Sequence, residues 1–218
     1  PLLTPAELNA SLGKPTVRVI DIRDPKSYAA GHIPGAVNAP YGQWRGPAVN
    51  PGELPALPKL TALVQSLGLT AATHAVVVSS GADATDFGAS ARVYWTLKVL
   101  GLKDLSVLNG GAKAWSDAQL ALSTEAAKIA ASSFQPTLDT SLIATTAQVQ
   151  QHINAKDAVL IDARPAAFYQ GETRAPAAKV AGTLPGAVNV QHDKWFAPGS
   201  SVFVGATHAR QVAVASAI

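Results

Sequence analysis

Apolar residues along this chain fall into two alternating kinds of run. Residues 16–22 form a short β-branched stretch that closes on Asp-x-Arg, the form of a buried parallel strand. Residues 26–30 predict one helical turn. Pro34-Gly35 marks a turn, and Val37-Asn38 begins another short strand. Between residues 59 and 69, apolar side chains fall at Leu60, Leu63, Val64 and Leu67, with Gly68 near the end. That i, i+3, i+4, i+7 spacing predicts an amphipathic helix. Residues 75–79 predict an apolar strand and residues 89–100 a second helix, closed by Gly101. Residues 105–108 predict a third strand, ending at Asn109-Gly110-Gly111, and residues 112–118 a last helix. Strands alternating with helices predict an α/β fold. Residues 17–20, 75–79 and 105–108 should share one parallel sheet, with the helices at 59–67 and 89–100 packed on its faces.

The same words occur twice. Val-Ile-Asp-Ile-Arg-Asp-Pro at residues 19–25 is echoed by Leu-Ile-Asp-Ala-Arg-Pro at 160–165, which pairs Asp21 with Asp162 and Arg23 with Arg164 at an offset of 141. Gly-His-Ile-Pro-Gly-Ala-Val-Asn at 31–38 returns as Gly-Thr-Leu-Pro-Gly-Ala-Val-Asn at 182–189, at an offset of 151. The second copy therefore carries ten extra residues between its motifs. Leu3 to Leu8 has a looser echo in Ile143 to Val149. Two motifs in the same order predict a tandem duplication. The expected boundaries are 1–124 for the first copy, 125–140 for an Ala/Ser/Thr-rich linker without periodicity, and 141–218 for a partial second copy. The second copy lacks an equivalent of residues 75–115. The apolar tail at 211–216 resembles 119–123, which sets the expectation of roughly 60 residues absent before it, with a chain break near Ala206–Thr207 or an exposed apolar sheet edge around residues 159–162.

Composition narrows the function. Charged residues are 14%, against roughly 25% in a typical soluble domain, and hydrophobic residues are 48%. That balance excludes a disordered chain. No apolar run approaches the roughly 20 residues of a membrane span. The net charge of +3 is scattered without a Lys/Arg block, which argues against nucleic acid. There is no cysteine, so this chain holds no disulfide, thiolate metal site or thiol nucleophile. There is also no methionine, and the expectation is that something has been removed ahead of Pro1. Low Lys and Glu with high Ala, Ser, Thr and Gln fit a bacterial periplasmic protein somewhat better than a cytoplasmic one.

Ile-Asp-x-Arg, then Gly-His-Ile-Pro-Gly-Ala-Val-Asn, then an apolar strand, a loop and a helix, then Leu108-Asn109-Gly110-Gly111 running to Trp115, resembles the rhodanese family of sulfurtransferases. The resemblance implies two rhodanese-like domains, each a parallel sheet flanked by helices. Tandem copies are similar to the two-domain thiosulfate or 3-mercaptopyruvate sulfurtransferases, whose second domain usually carries the catalytic cysteine. It also implies the chemistry. A cysteine after the central strand takes a sulfane sulfur from a small anionic donor and passes it, as a persulfide, to a thiol or cyanide-type acceptor. The loop's backbone N–H groups and the helix dipole hold the thiolate. No cofactor and no metal belong to that scheme.

In the first copy Ser79-Ser80 stands where that cysteine is expected, with Ser80 as the nucleophile equivalent. A serine hydroxyl cannot carry a persulfide. The loop runs on as residues 81–88 with Asp83 and Asp86 and no Lys or Arg before Arg92, so an anionic donor would be repelled. This half is expected to be inactive. Asp21 and Asp162 are expected as structural carboxylates, partnered by Arg23 and Arg164. His32, alone in a turn, is expected to be structural, and Trp44 and Trp115 to be core or interface aromatics. Arg174, in the ten-residue insertion, stands with Arg164 and Lys194 as a candidate contact to an anionic substrate. Relatives commonly have an Arg directly before the aromatic at Tyr169, but Phe168 takes that place here. Two other readings have weaker support. One is a non-catalytic tandem module that binds a partner. The other is phosphatase chemistry on the same fold, which needs a cysteine, a longer loop and an arginine.

Overall fold

The computed structural model describes residues 1–204. Five parallel strands form the main sheet: β1 (Leu2–Leu3), β2 (Val17–Asp21), β3 (Val37–Asn38), β4 (His74–Val78) and β5 (Leu105–Leu108), in the order β1-β5-β4-β2-β3. The three strands expected at residues 17–20, 75–79 and 105–108 are its centre, and their mutual pairings are parallel. Alternation along β2 and β4 splits the core. Ile20 and Val77 face α3 (Leu57–Ser66) and α4 (Ala84–Val99), beside Leu60, Val64, Val93 and Leu97. Val19, Val76 and Val78 face the other way, toward Leu8, Tyr28 and Trp115 on α1 (Pro5–Asn9), α2 (Pro25–Ala30) and α5 (Gly111–Asp117). A parallel sheet needs this cover on both faces. Trp44 and Trp115 are fully buried, and each indole N–H donates to a backbone carbonyl, of Ala39 at 3.1 Å and of Ala121 at 2.9 Å.

One boundary differs from the expectation. Helix α4 begins at Ala84, not Ala89. Residues 84–88 carry no apolar period, so the pattern is silent there. The helix is started by a cap: the Asp83 carboxylate accepts the Asp86 N–H at 2.9 Å, and Asp86 in the first turn suits the positive end of the helix. The loop after β4 is thus shorter than its sequence implies.

Residues 125–139 lack regular structure but lie against the first domain. Ala127, Ile129, Phe134 and Leu138 pack on its core. The Ser132 N–H donates to the Gln65 carbonyl at 2.9 Å, the Gln65 amide to the Phe134 carbonyl at 2.9 Å, and the Asp139 N–H to the Val99 carbonyl at 2.7 Å. The segment closes so tightly over Gly68 that a Cβ there would lie 2.5 Å from Ile129 Cγ2.

Beyond it come α6 (Thr146–Ala155), β6 (Ile161–Asp162), α7 (Ala166–Tyr169) and β7 (Val188–Asn189), with β6 and β7 paired in parallel. Val159 is 78% and Ile161 63% exposed, so the apolar edge expected around residues 159–162 is present. The tail match at 211–216 and the junction at Ala206–Thr207 lie outside the described residues.

Candidate functional site

In a parallel α/β sheet the C-terminal strand ends are where chemistry is assembled, and both copies of the repeat present a shared device there. At the end of β2, Asp21 receives Arg23 Nε at 3.0 Å and Nη2 at 2.6 Å, and Nη2 also donates to the Gly31 carbonyl at 2.8 Å. At the end of β6, Asp162 receives Arg164 Nε at 2.9 Å and Nη2 at 2.5 Å, and Nη2 reaches the Gly182 carbonyl at 2.8 Å. The Asn38 amide bonds the carbonyls of Asp21 and Arg23, as the Asn189 amide bonds those of Asp162 and Arg164. Tyr28 and Tyr169 each donate a hydroxyl to the carbonyl of an alanine, Ala36 and Ala187. Even the helix starts match: Thr4 with Glu7 and Thr145 with Gln148 are reciprocal capping boxes. The Asp–Arg pairs are structural fasteners that hold the strand end to the Gly-containing turn. The Arg164 guanidinium, with the Thr183 hydroxyl beside it, holds the Asp162 carboxyl far below the usual carboxylate range.

The loop after β4 holds Ser79 and Ser80, where a nucleophile is expected from the sequence. Its backbone turns at Gly81, where φ is +89° and a Cβ would lie 2.1 Å from the Gly110 carbonyl oxygen, so only glycine fits. Ser79 is buried and Ser80 is exposed. The two successive N–H groups of Ser80 and Gly81 converge, a geometry that suits an anion. That anion is supplied by the chain itself. The Asp86 carboxylate accepts the Gly81 N–H at 2.7 Å, the Ser80 N–H at 3.3 Å and the Ser80 hydroxyl at 2.8 Å. Lys113, whose backbone N–H donates to the Ser80 carbonyl, directs its ammonium to Asp117 at 2.6 Å. From the sequence alone Asp86 is expected to be a repelling charge. The fold makes it an occupant.

The second half closes over this loop. Phe87 of α4 packs edge-on against Phe196 at 4.9 Å between centroids, and Phe203 completes the cluster. The Asn109 side-chain Oδ1 accepts the Phe203 N–H at 2.8 Å. This aromatic clasp had no sequence signal, since its three residues are far apart. A groove of about 490 Å³ lies beside it, lined by Asp83, Thr85, His192 and Asp193 among others, with no Lys or Arg among the described residues. The candidate substrate cations do not meet there. Arg164 lines a separate groove of about 550 Å³ in the second half, but its guanidinium is engaged by Asp162. Arg174 is exposed and donates to the Ala178 carbonyl. Lys194 is exposed in the turn His192–Trp195 and lines neither groove. His32 is fully buried, stacked 3.7 Å from Tyr28, with its ring nitrogens facing the carbonyls of Tyr28 and Glu125. Among the described residues no cluster of three or more His, Asp or Glu could hold a metal, and no helix is long and apolar enough to cross a membrane.

Residues 4–118 match the rhodanese-like domain family. The chain belongs to it. Among rhodanese relatives, a thiosulfate sulfurtransferase of Pseudomonas aeruginosa is 37% identical over 194 residues, an alignment that covers 87% of this chain and 68% of that protein. A probable 3-mercaptopyruvate sulfurtransferase of the same organism is 33% identical over 200 residues, covering 85% and 69%. The rhodanese fold is shared with the crystal structure of SseA from Escherichia coli, described as a 3-mercaptopyruvate sulfotransferase. That match has a TM-score of 0.82 at 23% identity and covers all of this chain and 84% of that one.

Proposed function

We propose that this chain is the cysteine-free part of a tandem sulfurtransferase, in which the first domain is a non-catalytic partner and sulfur transfer runs through a cysteine in the second. The donor is thiosulfate or a mercapto acid. In the thiosulfate case a thiolate attacks the outer sulfur, the S–S bond breaks, and sulfite leaves with the electron pair. A cyanide or thiol acceptor then takes that sulfur from the persulfide, and the thiolate is regenerated.

One observation carries the division of labour. The loop that would cradle a thiolate or an anionic donor in the first domain has Ser80 at the nucleophile position and is filled by the Asp86 carboxylate. The names of the relatives support the reaction class. Arg174, Arg164 and Lys194 remain proposed contacts to the donor. For Arg164 this requires it to act while still bonded to Asp162.

The test has two arms. Protein verified by mass to contain only these residues should produce no thiocyanate above background from thiosulfate and cyanide, and turnover in that sample would overturn the assignment. A polypeptide whose second copy includes a Cys-led loop should gain the mass of one sulfur atom on incubation with thiosulfate or 3-mercaptopyruvate. Failure with both donors would favour a non-catalytic binding module instead.

A further inference from the structure

At the opposite, N-terminal edge of the main sheet lies a pocket that the sulfur chemistry does not use. It has a volume of about 380 Å³, within the roughly 300–1,000 Å³ typical of small-molecule sites. Three cations line it, Lys14 before β2, Arg18 within β2, and Lys128 on the segment that wraps the first domain. None of its lining residues is acidic. Its walls are apolar, with Leu12, Val17 and Ile129 among them.

Arg18 is the anomaly. Its Nε is sealed from solvent and has no hydrogen-bond partner, and its guanidinium makes no ion pair among the described residues. Arg18 as a whole is half-buried, and even partial desolvation of an uncompensated guanidinium is unfavourable. Burial here already lowers the Arg18 pKa. The C-terminal end of α3 lies close by, with Arg18 Nη2 3.5 Å from the Cβ position of Gly68, but no bond is made to it. Arg23 and Arg164 each have a bidentate carboxylate, and Arg92, whose Nε is likewise sealed and unpartnered, still donates Nη2 to the carbonyls of Gly52 and Glu53.

We propose that this pocket binds a small organic anion, a carboxylate or phosphate head carried on a short apolar body, with the head on Arg18 between Lys14 and Lys128. The wrapping segment supplies both Lys128 and the apolar wall at Ile129, so occupancy would fasten residues 127–129 to the sheet edge. A planar guanidinium favours a two-oxygen head, and the apolar walls favour a tail.

The test is titration calorimetry on the full chain with octanoate, octanol and inorganic phosphate, followed by 15N NMR of the arginine Nε–H groups. Octanoate should bind and shift the Arg18 Nε–H resonance, octanol should not bind, and phosphate should bind at least about tenfold more weakly than octanoate. Arg18→Gln should weaken octanoate binding roughly tenfold or more, the loss expected for one charge-assisted contact. Lys128→Glu, on an exposed side chain away from the core, should weaken it several-fold and carries the test if Arg18→Gln does not fold. Equal binding of octanoate and octanol, phosphate binding as tight as octanoate, unchanged affinity in Lys128→Glu, or no octanoate binding at about 10 mM would each overturn the proposal.

Discussion

Replacing Ser80 by cysteine puts a thiol at the position proposed for the nucleophile, and the structure says how that thiol should behave. In the native loop the Ser80 hydroxyl lies 2.8 Å from an Asp86 carboxylate oxygen, and the same carboxylate takes the N–H groups of Ser80 and Gly81. A thiolate there would face a unit negative charge at about 4 Å and have no free donors. Two like charges at that distance repel by about 4 kcal/mol at an effective dielectric near 20, or about three pKa units. Ser80 is exposed, and solvent screening reduces this to an expected rise of about one to two units above the ordinary cysteine value near 8.5. Adding Asp86→Ala removes the repulsion and frees both N–H groups, so the double variant should titrate at or below about 8.5. The assay is the pH dependence of alkylation by iodoacetamide, followed by mass. The chain has no other cysteine, so the signal belongs to one site. A Ser80→Cys thiol that titrates at or below 8.5 with Asp86 in place, or that ignores Asp86→Ala, would falsify the view that this loop is filled by its own carboxylate.

Gly81→Ala should lower stability by about 2–4 kcal/mol in urea unfolding, because the added carbon meets a backbone oxygen and φ is positive. Leu60→Ala, at a fully buried position under the sheet, should cost about 2–5 kcal/mol in the same measurement. Asp162→Asn should speed amide hydrogen exchange roughly three- to tenfold around β6 and β7, leaving the main sheet unchanged. The folded-state pKa of Asp162 is depressed from its ordinary 3.8, so its contribution is complete above that value and is lost only as pH falls through the lower folded value. The wild-type exchange pattern near β6 should therefore hold from pH 7 to pH 5, and loosening confined to that range would contradict the assignment.

What the sequence made legible was whatever depends on local period and short motifs. Strands β2 and β4 are β-branched runs and β5 a short apolar one, all able to be buried on both faces, and α3 shows its apolar stripe at Leu60 and Val64. The start of α4 was not legible by period, because its first turn is small and polar and is set by the Asp83 cap. The Asp-x-x-Asp spacing was the available signal. The capture of the Ser80 and Gly81 N–H groups by Asp86 needs the loop already folded back, a tertiary outcome. The segment at 125–139 was illegible for the same reason, since its hydrogen bonds go to Gln65 and Val99 and nothing in its own composition announces them. The repeat is the most instructive case. Its backbone frame is kept in both copies, while one position inside the Gly-x-x-Pro-Gly word changes what the frame holds. In the second copy Thr183 donates its hydroxyl to Asp162 at 2.7 Å and stays local. In the first, His32 stacks on Tyr28 and reaches the Glu125 carbonyl at 3.1 Å, while its backbone pairs with Ser123. This divergent residue thereby fastens the start of the wrapping segment to the first domain, so that a motif legible as a repeat by its shared residues does its particular work through a residue that differs.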